Sequence, residues 1–364
     1  MVPATRRQTG PYRLVSESAD RVHFEAWAGY HGGLAATKYI DFVPTQADGS
    51  DLVAGMVDIF QSASVDRAFQ LSAATHGVAV ATPPAYGYMA LFFNVRAGRL
   101  FAERSLRQAL QLCIDLPRDV DAATAGGATP VYGPVLPGSW ADDPSLPKPL
   151  RDTAAAKQLI EGAGWTPGTD GVYAKGGVRL AADIVTRADR ADRIKMADLI
   201  SRQARDCGMD LTSHPVPWED IYPAMLTYPH DIPGTSTPFD LYIGGFALGA
   251  DPASGLADYV TSAINDAEHN DPLTYTNMVG FTDPAYDRLV EAGKATYDQA
   301  ERTRIYRAAQ EELASQLPVI FLWNGWSAID VVRTAVATVD GPLDLTAPNW
   351  GWQPERLVVA GSGD

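Results

Sequence analysis

The fold of this chain is decided by a stretch near its middle, Phe239-Asp240-Leu241-Tyr242-Ile243-Gly244-Gly245-Phe246-Ala247-Leu248-Gly249-Ala250-Asp251-Pro252. Residues 239–243 form a short apolar run of aromatic and β-branched residues, which is typical of a buried strand. At Gly244 and Gly245 the side chains are absent, so the backbone can bend or lie close to another group. Phe246 follows, and Asp251-Pro252 is a turn signal. In α/β proteins binding loops occupy such strand ends, but a core strand with an ordinary loop fits the stretch as well.

The composition is that of an acidic, globular chain. It has 364 residues, of which 46% are hydrophobic and 20% charged, and its formal net charge is −15. This length exceeds one ordinary core and suits two domains. Because the negative charge repels phosphate backbones and anionic membranes, we expect no nucleic-acid partner. The longest apolar runs, such as residues 319–323, are far too short to span a bilayer.

The cysteines and the N-terminal residues give two further predictions, on disulfide bonding and on a signal peptide. The only cysteines are Cys113 and Cys207, and their separation fits no metal-binding or redox motif. Each lies on the apolar face of a predicted helix, so we expect two packed thiols in preference to a disulfide. Residues 1–10 contain Arg6 and Arg7 without an apolar stretch after them, so no signal peptide is visible in this chain.

Strands alternate with helices through the middle of the chain, whereas both ends are rich in strands. The apolar residues of segment 106–114 recur at helical spacing, and Pro117 is expected to stop that helix. Residues 126–149 are rich in Gly and Pro and predict a long ordered loop. This arrangement predicts one α/β lobe flanked by a second lobe built from both termini.

Motifs of catalysis and of cofactor binding are absent from the sequence. It contains no nucleophile elbow, zinc-protease motif, phosphate-binding loop or dinucleotide fingerprint, and its six histidines are scattered. We therefore predict no catalytic residue, no metal site and no cofactor. Asp251 and Asp258 leave open an acidic hydrolase acting on glycans. Four aromatic residues lie at the ends of predicted strands and helices or in turns: Trp218, Phe246, Trp323 and Trp326. Residues at such positions can line a cleft or, alternatively, pack in the core.

The order of short segments along the whole chain resembles the family 5 extracellular solute-binding proteins, the peptide, dipeptide and nickel receptors of ABC importers. None of these segments is diagnostic alone, but together they run from Thr9 to the end of the chain. The segments are Thr9–Leu14, Gly55–Ile59, Phe93-Asn94, Glu103–Leu110, Ile114-Asp115, Ala128–Pro130, Gly133-Pro134, Pro137–Trp140, Ala155–Leu159, Gly162–Trp165 and Phe239–Pro252.

The resemblance implies a two-lobed α/β fold of the class II periplasmic-binding-protein type, with mixed sheets and a solute enclosed between the lobes. Residues 1–90 and 328–364 would form the first lobe, domain I, and residues 91–327 the second lobe, domain III. Family members begin with a secretory or lipoprotein signal and a long segment before the strand that opens this chain. We therefore expect an N-terminally truncated fragment that lacks part of the first lobe.

The resemblance also implies which residues bind the ligand. Trp218 matches an aromatic residue that faces the ligand, and Phe246 stands where the family usually has a tryptophan. Asp251 matches the aspartate of the family's Asp-Pro loop and is expected to hold that loop. The full predicted ligand-binding set is Trp218, Gly245, Phe246, Asp251, Trp323 and Asn94. The acidic residue that anchors a peptide amine in oligopeptide receptors is replaced here by Gly249 or Ala250.

These expectations combine into one predicted function with two alternatives. The chain is predicted to be the substrate-binding component of an ABC importer, without enzymatic activity, which binds a solute and delivers it to the permease subunits. A peptide is the first choice of predicted ligand, followed by oligosaccharides and nickel chelates. We expect a monomer located outside the cytoplasm, in the periplasm or as a lipoprotein. The alternatives are the acidic hydrolase and a non-transport interaction or chaperone module on the same fold.

Overall fold

In the computed structural model the described residues are 9–46, 48–62, 65–81, 85–226, 228, 232, 234–235, 239–271, 274–325, 329–345, 351 and 353–360. The chain divides into two compact units, unit 1 with residues Met1–Ala85 and Trp326–Asp364, and unit 2 with residues Tyr86–Gly325. The boundary predicted between residues 90 and 91 falls inside a strand, whereas the observed division precedes that strand.

Strands and α-helices both occur in each unit. The strands are β1 Tyr12–Glu17, β2 Val22–Ala26, β3 Tyr39–Phe42, β4 Ile59–Ser62, β5 Val78–Ala81, β6 Gly87–Phe93, β7 Ala128–Pro130, β8 Thr166–Pro167, β9 Tyr173–Lys175, β10 Val178–Arg179, β11 Ala181–Arg187, β12 Asp210–Val216, β13 Leu241–Ala247, β14 Val319–Gly325, β15 Ile329–Arg333, β16 Val336–Thr338, β17 Gly341–Pro342 and β18 Leu357–Val359. The α-helices are α1 Ser50–Val53, α2 Val65–Ala74, α3 Arg104–Cys113, α4 Leu116–Thr124, α5 Thr153–Gly162, α6 Ala191–Asp206, α7 Trp218–Leu226, α8 Ala253–Ala257, α9 Pro284–Ala295 and α10 Gln299–Gln316.

Unit 1 contains three small antiparallel sheets, in the orders β1-β2-β3, β4-β15-β5 and β17-β16-β18. Helix α2 packs on the second of these sheets, where Leu52, Phe60 and Leu71 form a small buried cluster. Because β15 follows unit 2 in the sequence and pairs with β4 and β5, both ends of the chain contribute to this unit.

Unit 2 is built on a mixed six-stranded sheet with the order β12-β11-β13-β6-β14-β7. The pairs β11–β12 and β11–β13 are parallel, whereas β13–β6, β6–β14 and β14–β7 are antiparallel. The predicted class, α/β with mixed sheets, is confirmed by this topology.

Side chains alternate between two cores, one on each face of the sheet. On one face Leu91, Ile184 and Ile243 pack against α3, α4, α5 and α6. On the other face Phe92, Val185 and Tyr242 pack against α7, α8, α9 and α10. Strands that are covered on both faces have continuous apolar runs, which is the pattern of residues 239–243.

Helix boundaries in unit 2 follow from side-chain caps. Asp152, Asp283 and Asp298 each accept hydrogen bonds from backbone N–H groups in the first turn of α5, α9 and α10, respectively. Such a cap contributes about 1 kcal/mol. Pro117, predicted to stop a helix, lies in the first turn of α4, where its missing N–H has no partner to lose.

Of the two possibilities that Gly244 and Gly245 left open, a bend and a close approach to another group, the structure shows the close approach, because β13 continues through both glycines to Ala247. The glycines make room for neighbouring groups. A Cβ on Gly244 would lie 2.1 Å from Tyr242 Cε1, and one on Gly245 would lie 2.1 Å from both Met89 Cε and the Tyr88 carbonyl oxygen. The strand therefore ends about four residues later than the apolar run suggests.

The expectation of two separate thiols is also wrong. Cys113 at the end of α3 and Cys207 just after α6 form a disulfide, with their Cα atoms 6.3 Å apart. Helical periodicity correctly put both side chains in the core, but it could not show that α3 and α6 lie side by side. Arg151 strengthens the same junction by donating to the Cys113 carbonyl oxygen and to the Asp206 carboxylate.

A buried arginine joins two helix ends in unit 2. Arg107 of α3 is 5% exposed, and its guanidinium donates to the carbonyl oxygens of Gln316 and Leu317 at the end of α10. It also donates to the carbonyl oxygens of Phe101 and Ala102 at the end of a 3₁₀ helix. Carbonyl ends of helices carry partial negative charge. Burial lowers the pKa of Arg107 to about 10, so the side chain remains charged at neutral pH.

We expect Arg107→Lys to lower the free energy of unfolding by on the order of 2–3 kcal/mol, because an ammonium cannot reach all four carbonyl oxygens. Urea unfolding measures the change. Arg304→Lys is the matched control, since Arg304 pairs with Glu301 on the surface and should contribute below about 0.5 kcal/mol. Equal losses for the two variants would contradict the assigned role of Arg107.

The disulfide closes a loop with a sequence separation of 94 residues. Reduction should therefore destabilise the protein by about 2–5 kcal/mol, chiefly through the unfolded state. Alkylation in denaturant without reductant, followed by mass spectrometry, should find no modified cysteine. Complete alkylation under those conditions would show that the thiols are free.

Candidate functional site

The candidate site lies at one edge of the unit 2 sheet. The parallel strands β11, β12 and β13 end at the same edge. The antiparallel neighbours place the start of β6 and the end of β14 there as well, because Gly87 pairs with Ala247 and Met89 pairs with Trp323. Trp218 and Phe246 both lie at this edge, which we call the binding edge.

Trp218 opens α7 directly after β12 and is 37% exposed. Its ring contacts that of Tyr222, one turn later in α7, with the ring centroids 5.2 Å apart. Arg187 at the end of β11 lies over the Trp218 ring, with Cζ 4.8 Å from the centroid. Asp189 holds this guanidinium through two hydrogen bonds of 2.9 and 2.6 Å. The tryptophan is thus fixed from one side and open on another.

Phe246 is partly buried at the same edge, on β13. Its ring meets Tyr88 and Phe92 edge to face, with centroid distances of 6.2 and 5.5 Å. Gly245, the preceding residue, is exposed and lies beside Met89. The two residues therefore present an aromatic ring and bare backbone next to each other on β13.

A buried cation at this edge was not predicted from the sequence. Arg193, in the first turns of α6, is 8% exposed and hydrogen-bonds to the Tyr242 hydroxyl. Its Nε has no hydrogen-bond partner in the described part of the chain. Burial lowers the pKa of Arg193. The only sequence signal was an arginine-rich turn after a strand, which resembles an ordinary charged helix start.

The local charges do not cancel at the binding edge. Arg187 pairs with Asp189, and Arg190 pairs with Asp192, whereas no carboxylate contacts Arg193 among the described residues. Asp192 acts on Arg193 through its charge without a direct contact, and Lys195 adds a further positive charge to the first turns of α6. A buried, incompletely paired guanidinium favours an anionic partner.

Two predicted site residues are buried in packing and do not line the binding edge. Trp323 is 3% exposed and packs in the core on the α3 and α6 face. Asn94 is fully buried at the opposite edge of the sheet, where its Nδ2 donates to the Phe239 carbonyl oxygen at 3.0 Å. It lies about 16 Å along the strand direction from Met89, given the rise of a strand per residue. Trp326 falls outside the described residues.

Asp251 holds its loop to α10. Its two carboxylate oxygens accept hydrogen bonds from Arg302 Nη2 at 3.0 and 2.9 Å, and one of them also accepts from the Ala253 N–H. The Asp251 carbonyl oxygen accepts from the Ser254 hydroxyl, whose oxygen in turn accepts from the Gly249 N–H. The carboxylate is therefore engaged within the protein.

No cluster of three or more His, Cys, Asp or Glu side chains that could hold a metal ion occurs within the described ranges. In the same ranges, every helix is too short or too polar to cross a bilayer.

Aromatic and charged side chains gathered where parallel strands end mark the edge at which α/β proteins place their binding loops. The sequence profile of the bacterial extracellular solute-binding proteins, family 5 middle, matches residues 4–267. The chain belongs to this family, and the resemblance indicated by its segment order is confirmed.

Among curated proteins, the chain is similar to Protein XP55 of Streptomyces lividans, with 26% identity over 363 residues that cover 92% of this chain and 60% of XP55. It is also similar to the oligopeptide-binding protein AppA of Bacillus subtilis, with 23% identity, 86% of this chain and 56% of AppA. The chain thus spans less than two thirds of the length of these relatives.

Solved structures share the fold. NikZ from Campylobacter jejuni, in complex with Ni(L-His), superimposes with a TM-score of 0.78 at 19% identity, covering 96% of this chain and 68% of NikZ. AppA from Bacillus subtilis, in complex with a nonapeptide, gives a TM-score of 0.74 at 19% identity, covering 96% of this chain and 66% of AppA.

The close contacts of Gly245 lead to a test of how tightly β13 and β6 are packed. Gly245→Ala should cost about 1–3 kcal/mol of unfolding free energy, because its Cβ would overlap both Met89 and the Tyr88 backbone. Gly249→Ala is the control, since the nearest atoms to its Cβ are 3.5 Å away in Ser254. Urea titration of both variants should separate them. Identical midpoints would contradict this packing.

Proposed function

We propose that this chain is the substrate-binding component of an ABC importer, which binds a peptide and delivers it to permease subunits. The observation that carries the proposal is the binding edge itself. There Trp218 and Phe246 offer aromatic surface, Gly245 exposes backbone, and Arg193 provides a positive charge without a carboxylate partner among the described residues. Peptides combine apolar side chains, backbone amides and a terminal carboxylate, so each feature has a counterpart in such a ligand.

The relatives favour a peptide over the other solutes considered. AppA of Bacillus subtilis is described as oligopeptide-binding, and two Pseudomonas aeruginosa relatives are described as dipeptide- or di/tripeptide-binding. Nickel chelates are the second candidate ligand, because the similar NikZ structure is a complex with Ni(L-His). Arg193 serves either class, because a peptide and a histidine chelate both carry a carboxylate.

The protein binds its solute without chemical change. The relatives are solute-binding proteins, and a hydrolase would need a free carboxylate at the site. Asp251, the candidate acid, instead forms an ion pair with Arg302. No observation favours the chaperone-like alternative.

The receptor acts outside the cytoplasm as a monomer. Its family is named extracellular, and the Cys113–Cys207 disulfide fits an oxidising compartment. Units 1 and 2 correspond to domains I and III of the family.

Titration of the purified chain with a mixture of oligopeptides tests the function through intrinsic fluorescence and calorimetry. We expect binding heat and a tryptophan emission change that Trp218→Phe removes. Trp165→Phe is the control, because Trp165 is 5% exposed and bonded to Glu103 away from the binding edge. Absence of heat and of emission change with peptides, oligosaccharides and nickel chelates would contradict the proposal.

Arg193→Met should weaken binding of peptides with a free terminal carboxylate by roughly 30-fold or more, the cost of removing a buried charge partner. Binding of the same peptides amidated at the C-terminus should change little, which separates a charge effect from misfolding. Equal weakening of acid and amide forms would remove Arg193 from the site.

A further inference from the structure

A fully buried carboxyl joins α4 to α6 on the face of the unit 2 sheet that carries these two helices. Asp119 of α4 is 0% exposed, and Gln203 Nε2 of α6 donates to its two carboxylate oxygens at 2.7 and 2.9 Å. Gln203 Oε1 accepts the backbone N–H of Asp115, the N-cap residue of α4, at 2.8 Å. One side chain of α6 therefore holds both the N-cap and the first helical turn of α4.

The ionised form of the Asp119 carboxyl has few hydrogen-bond partners. Both of its oxygens are bonded to the same nitrogen atom, and no second donor reaches them among the described residues. A buried carboxylate needs a cation or several donors to offset its lost hydration, whereas a neutral carboxyl loses far less. The packing of α4 on α6 therefore favours the protonated side chain.

No ion pair compensates Asp119 within the described ranges. The charged groups that act on it most strongly are Asp115, Arg118 and Arg151, and none of these pairs with its carboxylate. Arg118 is exposed, and Arg151 donates to the Asp206 carboxylate at 2.7 Å. The two guanidinium groups therefore act on Asp119 only at a distance, and Asp115 opposes them.

The elements packed on α4 add no cation at this point. From α6, the neutral Gln203 amide meets the carboxyl, and Asp206 follows on the same side of the helix. Strands β7 and β14, which also pack on α4, contain no ionisable side chain. Burial raises the pKa of Asp119 to about 6, and the Gln203 hydrogen bond opposes that change.

The disulfide lies at the same junction. Cys113 comes just before α4, and Cys207 lies one turn after Gln203. Both cysteines are fully buried in the core that includes Leu116 and Val120 of α4. Separation of α4 from α6 would therefore uncover the disulfide.

We propose that the Asp119–Gln203 contact is a pH-sensitive switch, in which a neutral Asp119 carboxyl keeps α4 packed on α6 and its ionisation loosens α4. In opened α4 the exposed carboxyl has its ordinary pKa of 3.8, whereas in the packed state the pKa is about 6. The added stability of the packed state is therefore complete below about pH 4 and is lost as the pH rises through about 6. Opening should increase about tenfold from about pH 5 to pH 7 and change little above that.

Hydrogen exchange with mass spectrometry, corrected for the intrinsic pH dependence of amide exchange, tests the switch on the ligand-free chain between about pH 4.5 and 8.5. Protection of residues 116–124 should fall about tenfold from about pH 5 to pH 7 and then level off. Asp119→Asn, which cannot ionise, should show no such fall. Asp121→Asn is the matched control, because Asp121 is exposed on the same helix and this variant should behave as the unaltered chain.

Reduction of the Cys113–Cys207 disulfide gives a second readout. The ratio of the reduction rates of the unaltered chain and of Asp119→Asn at one pH cancels the pH dependence of the reductant. This ratio should rise about tenfold from about pH 5 to pH 7, because opening of α4 uncovers the disulfide. A ratio that stays constant over this range would overturn the inference.

Gln203→Met separates the switch from a merely structural contact. Without the amide that stabilises the carboxylate, the pH at which protection levels off should move upwards, whereas a structural contact would lower protection equally at every pH. An unmoved levelling point, pH-independent protection in the unaltered chain, or an unchanged pH dependence in Asp119→Asn would each contradict the proposal. Since no ligand is present, none of these outcomes bears on the receptor function.

Discussion

The antiparallel pairing of β13 with β6 is the contact on which the rest of unit 2 depends. It joins the parallel strands β11 and β12 to the antiparallel strands β14 and β7 in one sheet. The pairing requires backbone approach too close for a side chain at Gly245, and Gly244 leaves room for the Tyr242 ring. The register then decides which side chains reach each face, because a shift by one residue would exchange the two cores.

The same pairing determines what is exposed at the binding edge. With the register fixed, the Phe246 ring packs against Tyr88 and Phe92. The Tyr242 ring lies over Gly244, and its hydroxyl hydrogen-bonds to Arg193. Arg187 and Trp218 complete the edge from the two neighbouring strands. The edge thus combines apolar rings with a charge that the described part of the protein leaves without a carboxylate partner.

Local patterns in the sequence predicted those features that depend on neighbours along the chain. The apolar run 239–243 indicated β13, and helical spacing indicated α3 and α6. Features that depend on contacts between residues distant in the sequence could not be predicted from it. The paired glycines left a bend and a close approach equally open, because Met89 and Tyr88, the groups that lie close to Gly245, are remote in sequence. Cys113 and Cys207 meet only after α3 and α6 pack. Asn94 and Trp323 were predicted to bind the ligand, but both side chains are buried in the protein interior. Arg193 could not be singled out, because in the sequence it resembles any charged residue at the start of a helix.

The central claim is that solute binds where β11, β12 and β13 end. Hydrogen exchange of the chain with and without a saturating oligopeptide mixture that has free C-termini tests it most directly. We expect slower exchange in segments 187–193, 216–222 and 245–248 and no change around Asn94 and Asp240 at the opposite edge. Slower exchange confined to the opposite edge, with none in those three segments, would contradict the claim.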